Sequence, residues 1–188
     1  MPHRFSTAAL LLALASASVL AQQPPPPAPP PSCMESEYRQ FDFWLGQWNV
    51  IGGPKSDRMV GRNSITQVSM GCALAEHWVN SNGMDGHSLN VYDKANARWT
   101  QFWIGSDGVI LFLAGGLQDG KMVLEGTLPG AKGGVQLQRV TWTPNADGTV
   151  TQNWQTSDDA GKTWQISFLG IYHRVGRALP LKPPAPKQ

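Results

Sequence analysis

The amino-acid sequence predicts an all-β protein, an antiparallel up-and-down barrel of about ten strands. Short runs of β-branched, aromatic and aliphatic residues follow one another, and each run ends at a Gly, Asn, Asp or Pro turn signal. The helical pattern is limited to one turn at 36–40. Several runs place polar and aromatic side chains on one face and aliphatic ones on the other. This pattern favours a closed barrel with a semi-polar interior over a β-sandwich with surface tryptophans.

The predicted strands are short and are separated by turns at the spacing of antiparallel hairpins. In order, they are 43–51, 58–68, 72–79, 87–92, 98–104, 109–114, 121–127, 135–143, 149–156 and 163–173.

Because side chains alternate along a strand, the sequence also predicts which residues share a face. Aromatic and amide side chains recur together at every second position. The predicted shared faces are Trp99, Gln101 and Trp103 in the fifth strand, Val150, Gln152 and Trp154 in the ninth, and Trp164, Ile166, Phe168 and Tyr172 in the last.

The two ends of the chain differ from the barrel in composition. Of the 15 prolines, seven lie in 22–32 and four lie beyond residue 179. Residues 1–21 combine a short positive start, an apolar run too short to span a bilayer, and small residues before a cleavage point. We therefore expect a signal peptide at 1–21, a disordered Pro-rich linker at 22–32, one barrel domain at 33–176 and a disordered Pro-rich tail at 177–188. The protein should be exported, periplasmic or secreted, with no integral membrane segment after cleavage.

The charge distribution argues against a nucleic-acid partner. Within 33–174 there are 11 Lys and Arg against 13 Asp and Glu, so the net charge is 11 − 13 = −2, and the formal +2 of the whole chain comes from its ends. Without a basic stripe, the electrostatic attraction to phosphates is missing.

The two cysteines, Cys33 and Cys72, form an even pair in a chain expected in an oxidising compartment. We predict a disulfide that ties the start of the domain to the third strand. The alternative is two free thiols, with Cys72 buried. Neither cysteine has surroundings that would stabilise a reactive thiolate, so a catalytic role is not favoured.

The stretch Phe41-Asp42-Phe43-Trp44-Leu45-Gly46-Gln47-Trp48 resembles the opening of a widespread family of bacterial exported proteins of unknown function. Its Gly-x-Trp resembles the start of lipocalin-type barrels, in which the Trp closes one end. Further matching segments are 71–78, 88–93, 99–103, 122–126 and 141–144, so the resemblance covers nearly all of 40–174. It implies a ten-stranded lipocalin-like (calycin) barrel, akin to fatty-acid-binding and nitrobindin-type proteins, and it implies no established reaction.

Residues 157–164, Ser-Asp-Asp-Ala-Gly-Lys-Thr-Trp, fit the Asp-box pattern found on the blades of sialidase propellers. One copy in a domain of this size cannot build a propeller. The motif therefore predicts a tight hairpin before the last strand, in which Ser and Asp side chains bind turn amides and the Trp lies beneath the loop.

The leading functional hypothesis is a barrel that binds a small amphiphilic or aromatic molecule in its lumen without chemistry. In this hypothesis Arg139 anchors a carboxylate head group. The alternative is a packed core with a buried Arg139–Glu76 ion pair and no cavity. The candidate ligand-binding residues, which mix aromatic surface with a few polar groups, are Glu76, Trp78, Asn90, Tyr92, Trp103, Arg139 and Trp154.

Three other functions remain open on the sequence. The first is a small-molecule hydrolase or isomerase that uses Glu76 or His77. The second is an envelope interaction module that makes contact through exposed tryptophans. The third is haem binding through His173, which the nitrobindin resemblance implies, although residues 46–52 depart from the Gly-x-Trp-x-Gly-x-Gly opening of haem barrels.

A metal site is not predicted. Glu76 and His77 point to opposite faces of a strand, and His77 and His87 on separate strands are too few to make a ligand set. No cofactor is predicted, and the sequence does not determine the oligomeric state.

Overall fold

Ten antiparallel strands form the whole described domain. The computed structural model describes residues 33–53, 55–130 and 133–176. The predicted signal peptide at 1–21, linker at 22–32 and tail at 177–188 lie outside the described residues. The strands are β1 (Gly46–Ile51), β2 (Met59–Val68), β3 (Ala73–Asn80), β4 (Asp85–Asp93), β5 (Arg98–Gly105), β6 (Ile110–Gln118), β7 (Lys121–Pro129), β8 (Val135–Pro144), β9 (Val150–Ser157) and β10 (Gln165–Arg174).

Each strand pairs with its neighbours in the chain, and β1 pairs with β10, which closes the barrel. The predicted all-β, up-and-down barrel of about ten strands is therefore confirmed. The helical content is three short 3-10 turns within the described residues, one of them Ser36–Arg39 where a single turn was expected. None of the helices among the described residues has the length and apolar character needed to cross a bilayer.

The residues predicted to share a face in the fifth and ninth strands do so and face the interior, but the shared face predicted for the last strand is partly wrong. Tyr172 is buried, whereas Ile166 is 60% exposed. The pairing of β10 with β9 shifts register between Ile166 and Phe168. This irregularity reverses the alternation, so residues before it face outwards at positions where simple alternation placed them inside.

An aromatic plug closes one end of the barrel. It is carried by the segment before β1, in which the 3-10 turns Ser36–Arg39 and Asp42–Trp44 are packed beneath the strands. Phe41 stacks on Trp44 with ring centroids 4.9 Å apart and meets Trp142 edge-on at 5.2 Å. All three side chains are buried, so the chain itself fills this end of the lumen.

The Gly-x-Trp motif is fixed by one arginine from the last strand. The Arg174 guanidinium lies over the Trp48 ring at 4.3 Å and donates a 2.8 Å hydrogen bond to the Leu45 carbonyl. Gly46 has a φ of +135°, and a Cβ at this position would lie 2.5 Å from Arg174 Nη1. Glycine is required here for both reasons.

A disulfide joins Cys33 and Cys72, as predicted, across a sequence separation of 39 positions. Cys72 follows the 3-10 turn Ser69–Gly71 that connects β2 and β3. Arg39 donates to the Gly71 carbonyl at the same place. The cross-link therefore holds the plug segment against the closed end of the barrel.

The Asp-box residues form the β9–β10 hairpin, as expected. Ser157 Oγ accepts a 2.9 Å hydrogen bond from the Gly161 amide, and the Asp159 carboxylate accepts one of 2.8 Å from the Thr163 amide. Hydrogen bonds from Thr163 lower the pKa of Asp159 to about 2. Trp164 Nε1 donates to the Gly161 carbonyl at 3.1 Å, which places the indole beneath the loop.

Candidate functional site

Above the aromatic plug, the lumen contains a cavity of about 490 Å³. Its lining runs from the buried Glu76 and Tyr172 to exposed turn residues such as Asn82 and Asp107. Those turns connect β3 to β4 and β5 to β6, at the end of the barrel opposite the plug. The cavity has the volume typical of small-molecule pockets.

Aromatic side chains form the walls of the cavity. Trp78, Trp103, Trp154 and Phe168 line it, and all four are half-buried. Trp78 and Phe168 meet edge-on with centroids 5.9 Å apart. The walls therefore offer flat, polarisable surface to an apolar or aromatic ligand.

Two glycines let the tryptophan rings lie flat against neighbouring strands. A Cβ on Gly61 would lie 2.5 Å from the ring of Trp78, and one on Gly86 would lie 2.3 Å from the ring of Trp103. No side chain fits at either place without moving the indole. The glycines thus set how far each wall stands from the cavity axis.

The base of the cavity is polar and is organised around the Glu76 carboxylate. Asn63 Nδ2 donates to Glu76 Oε1 at 2.6 Å, and Ser88 Oγ donates to Glu76 Oε2 at 2.6 Å. The ion pairs formed among the described residues do not include Glu76. A buried carboxylate without a cationic partner is held here by neutral donors alone.

The hydrogen bonds continue around the barrel wall. Asn90 Nδ2 donates to Ser88 Oγ at 2.8 Å, and Gln101 Nε2 donates to Asn90 Oδ1 at 2.8 Å. On the other side, Asn63 Nδ2 approaches Tyr172 Oη at 3.2 Å, and the Tyr172 hydroxyl donates to Gln152. The network thus joins β2, β3, β4, β5, β9 and β10 in one polar layer.

Burial controls the protonation of this layer. It raises the pKa of Glu76 to about 7, against the smaller lowering effect of the hydrogen bonds from Ser88 and Asn63. Burial, together with the nearby Glu76 carboxylate, holds the pKa of Tyr172 well above its usual range. The Tyr172 hydroxyl is therefore a neutral donor at physiological pH.

Two polar atoms in this region have no hydrogen-bond partner among the described residues. They are Asn63 Oδ1, next to Glu76, and Trp142 Nε1, whose side chain lines the cavity. Both side chains are almost fully buried. An unpaired buried donor and acceptor cost free energy unless water or a ligand meets them.

The structure brings together four of the seven predicted ligand-binding residues. Glu76, Trp78, Trp103 and Trp154 line the cavity. Asn90 lies directly behind it as a member of the polar layer. Tyr92 lies elsewhere, at the closed end, where its ring meets Tyr38 at 5.3 Å.

The placement of Arg139 in the lumen is wrong. Its Nε donates to Glu125 at 2.6 Å, and its guanidinium lies 4.0 Å from the Trp164 ring centre, on the outer surface. Val140 and Trp142, its neighbours in β8, are buried. Because alternate residues of β8 face inwards, the residue between Gln138 and Val140 must face outwards, and a buried Arg139–Glu76 pair is excluded.

Sequence reasoning missed several residues of the polar layer. Tyr172 and Gln152 were assigned to inner faces but not to the site, and Gln101 likewise shares the face of Trp103. Their alternation with tryptophans was a sufficient signal. Asn63 offered no comparable signal, because its role depends on β2 lying beside β3 with Ile65 opposite Glu76.

Two residues behind the other hypotheses, His77 and His173, lie outside the lumen, whereas Glu76 lines it. His77, one of the two proposed catalytic residues, is exposed on the outer face, next to inward-facing Glu76. His173 pairs with Asn49 on the face opposite to buried Tyr172, so it cannot ligate a haem in the lumen. The haem alternative is therefore wrong in its geometry.

The interaction hypothesis is wrong about its contact residues. All eight tryptophans are buried or half-buried. The outer face of β4, β5 and β6 instead exposes aliphatic side chains and two phenylalanines, Phe102 and Phe112, whose ring centroids are 4.9 Å apart. Phe112 is 69% exposed. An apolar outer face is present, but tryptophans do not form it.

A closed ten-stranded antiparallel barrel with one plugged end and an internal cavity is consistent with a calycin-like fold. No family model matches the chain, and a search among curated proteins finds no match either.

Proposed function

We propose that this protein binds a small amphiphilic or aromatic molecule in the barrel cavity. The observation that carries the proposal is the combination of a cavity of about 490 Å³, half-exposed aromatic walls and a polar base. A cavity of this size accommodates a ligand with a mass of a few hundred daltons. A packed core would leave neither this volume nor half-exposed indoles inside the barrel.

The aromatic walls favour a ligand with a flat or flexible apolar body. Trp78 and Phe168 face it from one side of the cavity, and Trp103 and Trp154 line other parts of the wall. Their half-burial means that a ligand would remove further apolar surface from water on binding. The removal of this apolar surface from water is the main source of the expected affinity.

The polar base favours a ligand whose inner end both donates and accepts hydrogen bonds. Glu76 accepts hydrogen bonds, and the side-chain amides of Gln101 and Gln152 also line the cavity. With no cation beside Glu76, an anionic head group directed inwards would be repelled once the carboxyl is ionised. A neutral hydroxyl, amide or amine head fits better than the carboxylate that Arg139 was expected to hold.

We further propose that the protein is exported and belongs to the bacterial family that its opening motif resembles. The Cys33–Cys72 disulfide supports an extracytoplasmic location. The plugged barrel that contains Gly46-Gln47-Trp48 supports the family. Sequencing the mature amino terminus after expression in a bacterial host tests the export step, and an uncleaved Met1 would contradict it.

Native mass spectrometry of protein purified without denaturation tests ligand binding first. We expect a population heavier than the chain by about a few hundred daltons. In a second assay, the neutral fluorescent probe N-phenyl-1-naphthylamine is titrated into the delipidated protein. Probe binding should weaken about tenfold in Trp103→Ala, which removes a cavity wall, and remain unchanged in Phe112→Ala, which removes an exposed outer ring.

The proposal fails if no mass co-purifies and Trp103→Ala and Phe112→Ala bind the probe equally. A co-purifying ligand that is chemically altered over time, and that stays unaltered with Glu76→Gln, would instead point to catalysis in the same cavity. Equal weakening of the probe by Phe112→Ala would move the binding site to the outer apolar face.

A further inference from the structure

Two histidines and an aspartate meet on the outer face of the barrel, beside the mouth of the ligand cavity. His77 in β3 and His87 in β4 are directly opposite each other in the strand register. Asp85 lies two residues before His87 and so projects from the same face of β4. Strand alternation thus places a third donor beside the two histidines, which by themselves were too few for a ligand set.

The donor atoms of this cluster converge on one point. The imidazole rings are stacked with centroids 4.3 Å apart and an interplanar angle of 7°. Asp85 Oδ2 lies 3.5 Å from His77 Nε2 and 3.9 Å from His87 Nε2. One ligand atom from each residue falls within 4.8 Å of the other two.

These separations are close to those of a metal centre. With metal–ligand bonds of about 2.0–2.2 Å, two donors of a tetrahedral zinc ion lie about 3.3 Å apart. The His77–Asp85 distance of 3.5 Å already approaches this value. All three side chains are exposed or half-exposed, so small side-chain rotations can bring their donor atoms to metal-binding distance.

We propose that His77, His87 and Asp85 bind a divalent transition-metal ion of the zinc class, with water in the remaining coordination position. Two imidazole nitrogens and one carboxylate oxygen suit Zn²⁺, Ni²⁺ or Cu²⁺ and do not suit Mg²⁺ or Ca²⁺, which prefer oxygen ligands. The ion would link β3 to β4 from outside. It leaves the proposed cavity function unchanged, because Glu76 and Ser88 face the other way.

The site is held at the rim of the cavity mouth. The Asp85 amide donates to Ser106 Oγ at 3.1 Å, and the Ser106 amide donates to the Asp85 carbonyl at 2.8 Å. Asp85 also borders the cavity. Its backbone is therefore fixed by the β5–β6 turn, which favours a preformed carboxylate position over one assembled only on binding.

Isothermal titration calorimetry with ZnCl₂ on the full chain, carrying no affinity tag, tests the proposal. We expect one ion per chain and no heat from MgCl₂. His87→Gln and Asp85→Asn should each weaken zinc binding at least about tenfold. His173→Gln, which removes a histidine from the outer face of β10, is the matched control and should bind zinc as the unaltered protein does.

Thermal melting without metal shows whether each variant is folded, and His77→Gln replaces any variant that is not. In the presence of zinc, the melting temperature of the unaltered protein should rise and that of His87→Gln should not. Absence of zinc binding at millimolar concentration would overturn the proposal. Equal affinity in the unaltered protein, His87→Gln and Asp85→Asn would also overturn it, by placing the ion elsewhere.

Discussion

The two ends of the barrel are built from the same residue type but have opposite properties. At the closed end Trp44, Trp99 and Trp142 are buried to 1% exposure or less. Towards the mouth Trp78 and Trp103 are only half-buried and border a cavity. The closed end has an additional chain segment, 36–44, that inserts aromatic rings between the strands. The number of tryptophans therefore does not decide whether an end of the lumen is open. The presence of a chain segment that covers that end decides it.

Between these ends lies the polar layer of Glu76, Asn63, Ser88 and Tyr172. Its side chains bond one another across the strands, while Asn63 Oδ1 is buried with no partner among the described residues. Buried polar atoms without a partner among the described residues occur in the plug as well, at Trp44 Nε1. The two ends therefore differ in packing and in open volume, and not in how completely their polar groups are hydrogen-bonded.

The largest expected effect comes from removing a ring of the plug. Trp44→Ala should lower the free energy of unfolding by about 3–5 kcal/mol, because it leaves a cavity that the packed end cannot fill. Trp103→Ala at the mouth should lower the free energy of unfolding by clearly less, since the Trp103 ring already borders open space. Urea unfolding followed by circular dichroism measures both, and equal losses would mean that the two ends do not differ in packing.

Removing the disulfide should have the next largest effect. Replacing both Cys33 and Cys72 by Ala frees a loop of 39 residues that includes the plug segment. On the chain-entropy model this costs up to about 4 kcal/mol of stability. The same urea experiment checks it, and adding a reductant to the unaltered protein should produce a comparable loss. A stable reduced protein would show that ring packing alone holds the plug.

Stability should also depend on pH through Glu76. Burial raises the pKa of Glu76 to about 7 in the folded protein from an ordinary value of 4.5. The folded state therefore binds the proton more tightly than the unfolded state does, so stability falls as pH rises from about 4.5 to 7, by about 3 kcal/mol in all. Above pH 7 this loss is complete.

Glu76→Gln removes this dependence while keeping the side-chain shape. Its free energy of unfolding should change less than that of the unaltered protein between pH 4.5 and 7, and it should be the more stable of the two at pH 8. Melting temperatures recorded across this range measure the difference. Parallel pH curves for both proteins would mean that Glu76 stays ionised inside the barrel.

The smallest effect is expected at the glycine beneath a cavity wall. In Gly86→Ala the new methyl group would lie 2.3 Å from the Trp103 ring, so the indole must move. We expect the free energy of unfolding to fall by about 1–3 kcal/mol and the tryptophan fluorescence to shift. Gly116→Ala is the matched strand control, because its Cβ meets no atom within 4 Å. Equal spectra for both variants would mean that Trp103 does not rest on Gly86.

Much of the fold was predictable from local sequence. Turn signals separate ten runs, and the even spacing of tryptophans with glutamines in β5 and β9 marks their inner faces. The Asp-box and the Cys33–Cys72 pair were readable in the same way. These features depend on strand alternation and turn chemistry, which act over a few residues, and on an even number of cysteines.

The candidate site was predictable only in part, because its polar layer is assembled from distant strands. Asn63 and Tyr172 are 109 residues apart in sequence but 3.2 Å apart in space. Their contact depends on the β1–β10 pairing that closes the barrel. Sequence reasoning had no means of placing Asn63, and it put Tyr92 in the lumen although that residue lies at the plugged end.

The sequence by itself determined the class and the number of strands, since these follow from patterns within single segments. It also indicated the disulfide, since the chain has one pair of cysteines. Tertiary structure decided which face is the interior wherever the pattern is ambiguous. Arg139 points to solvent because Val140 and Trp142, at alternate positions of β8, face the lumen. Ile166 points to solvent because the pairing of β10 with β9 shifts register. Alternation defines two faces of a strand, but only barrel closure and register select the face that becomes the cavity wall.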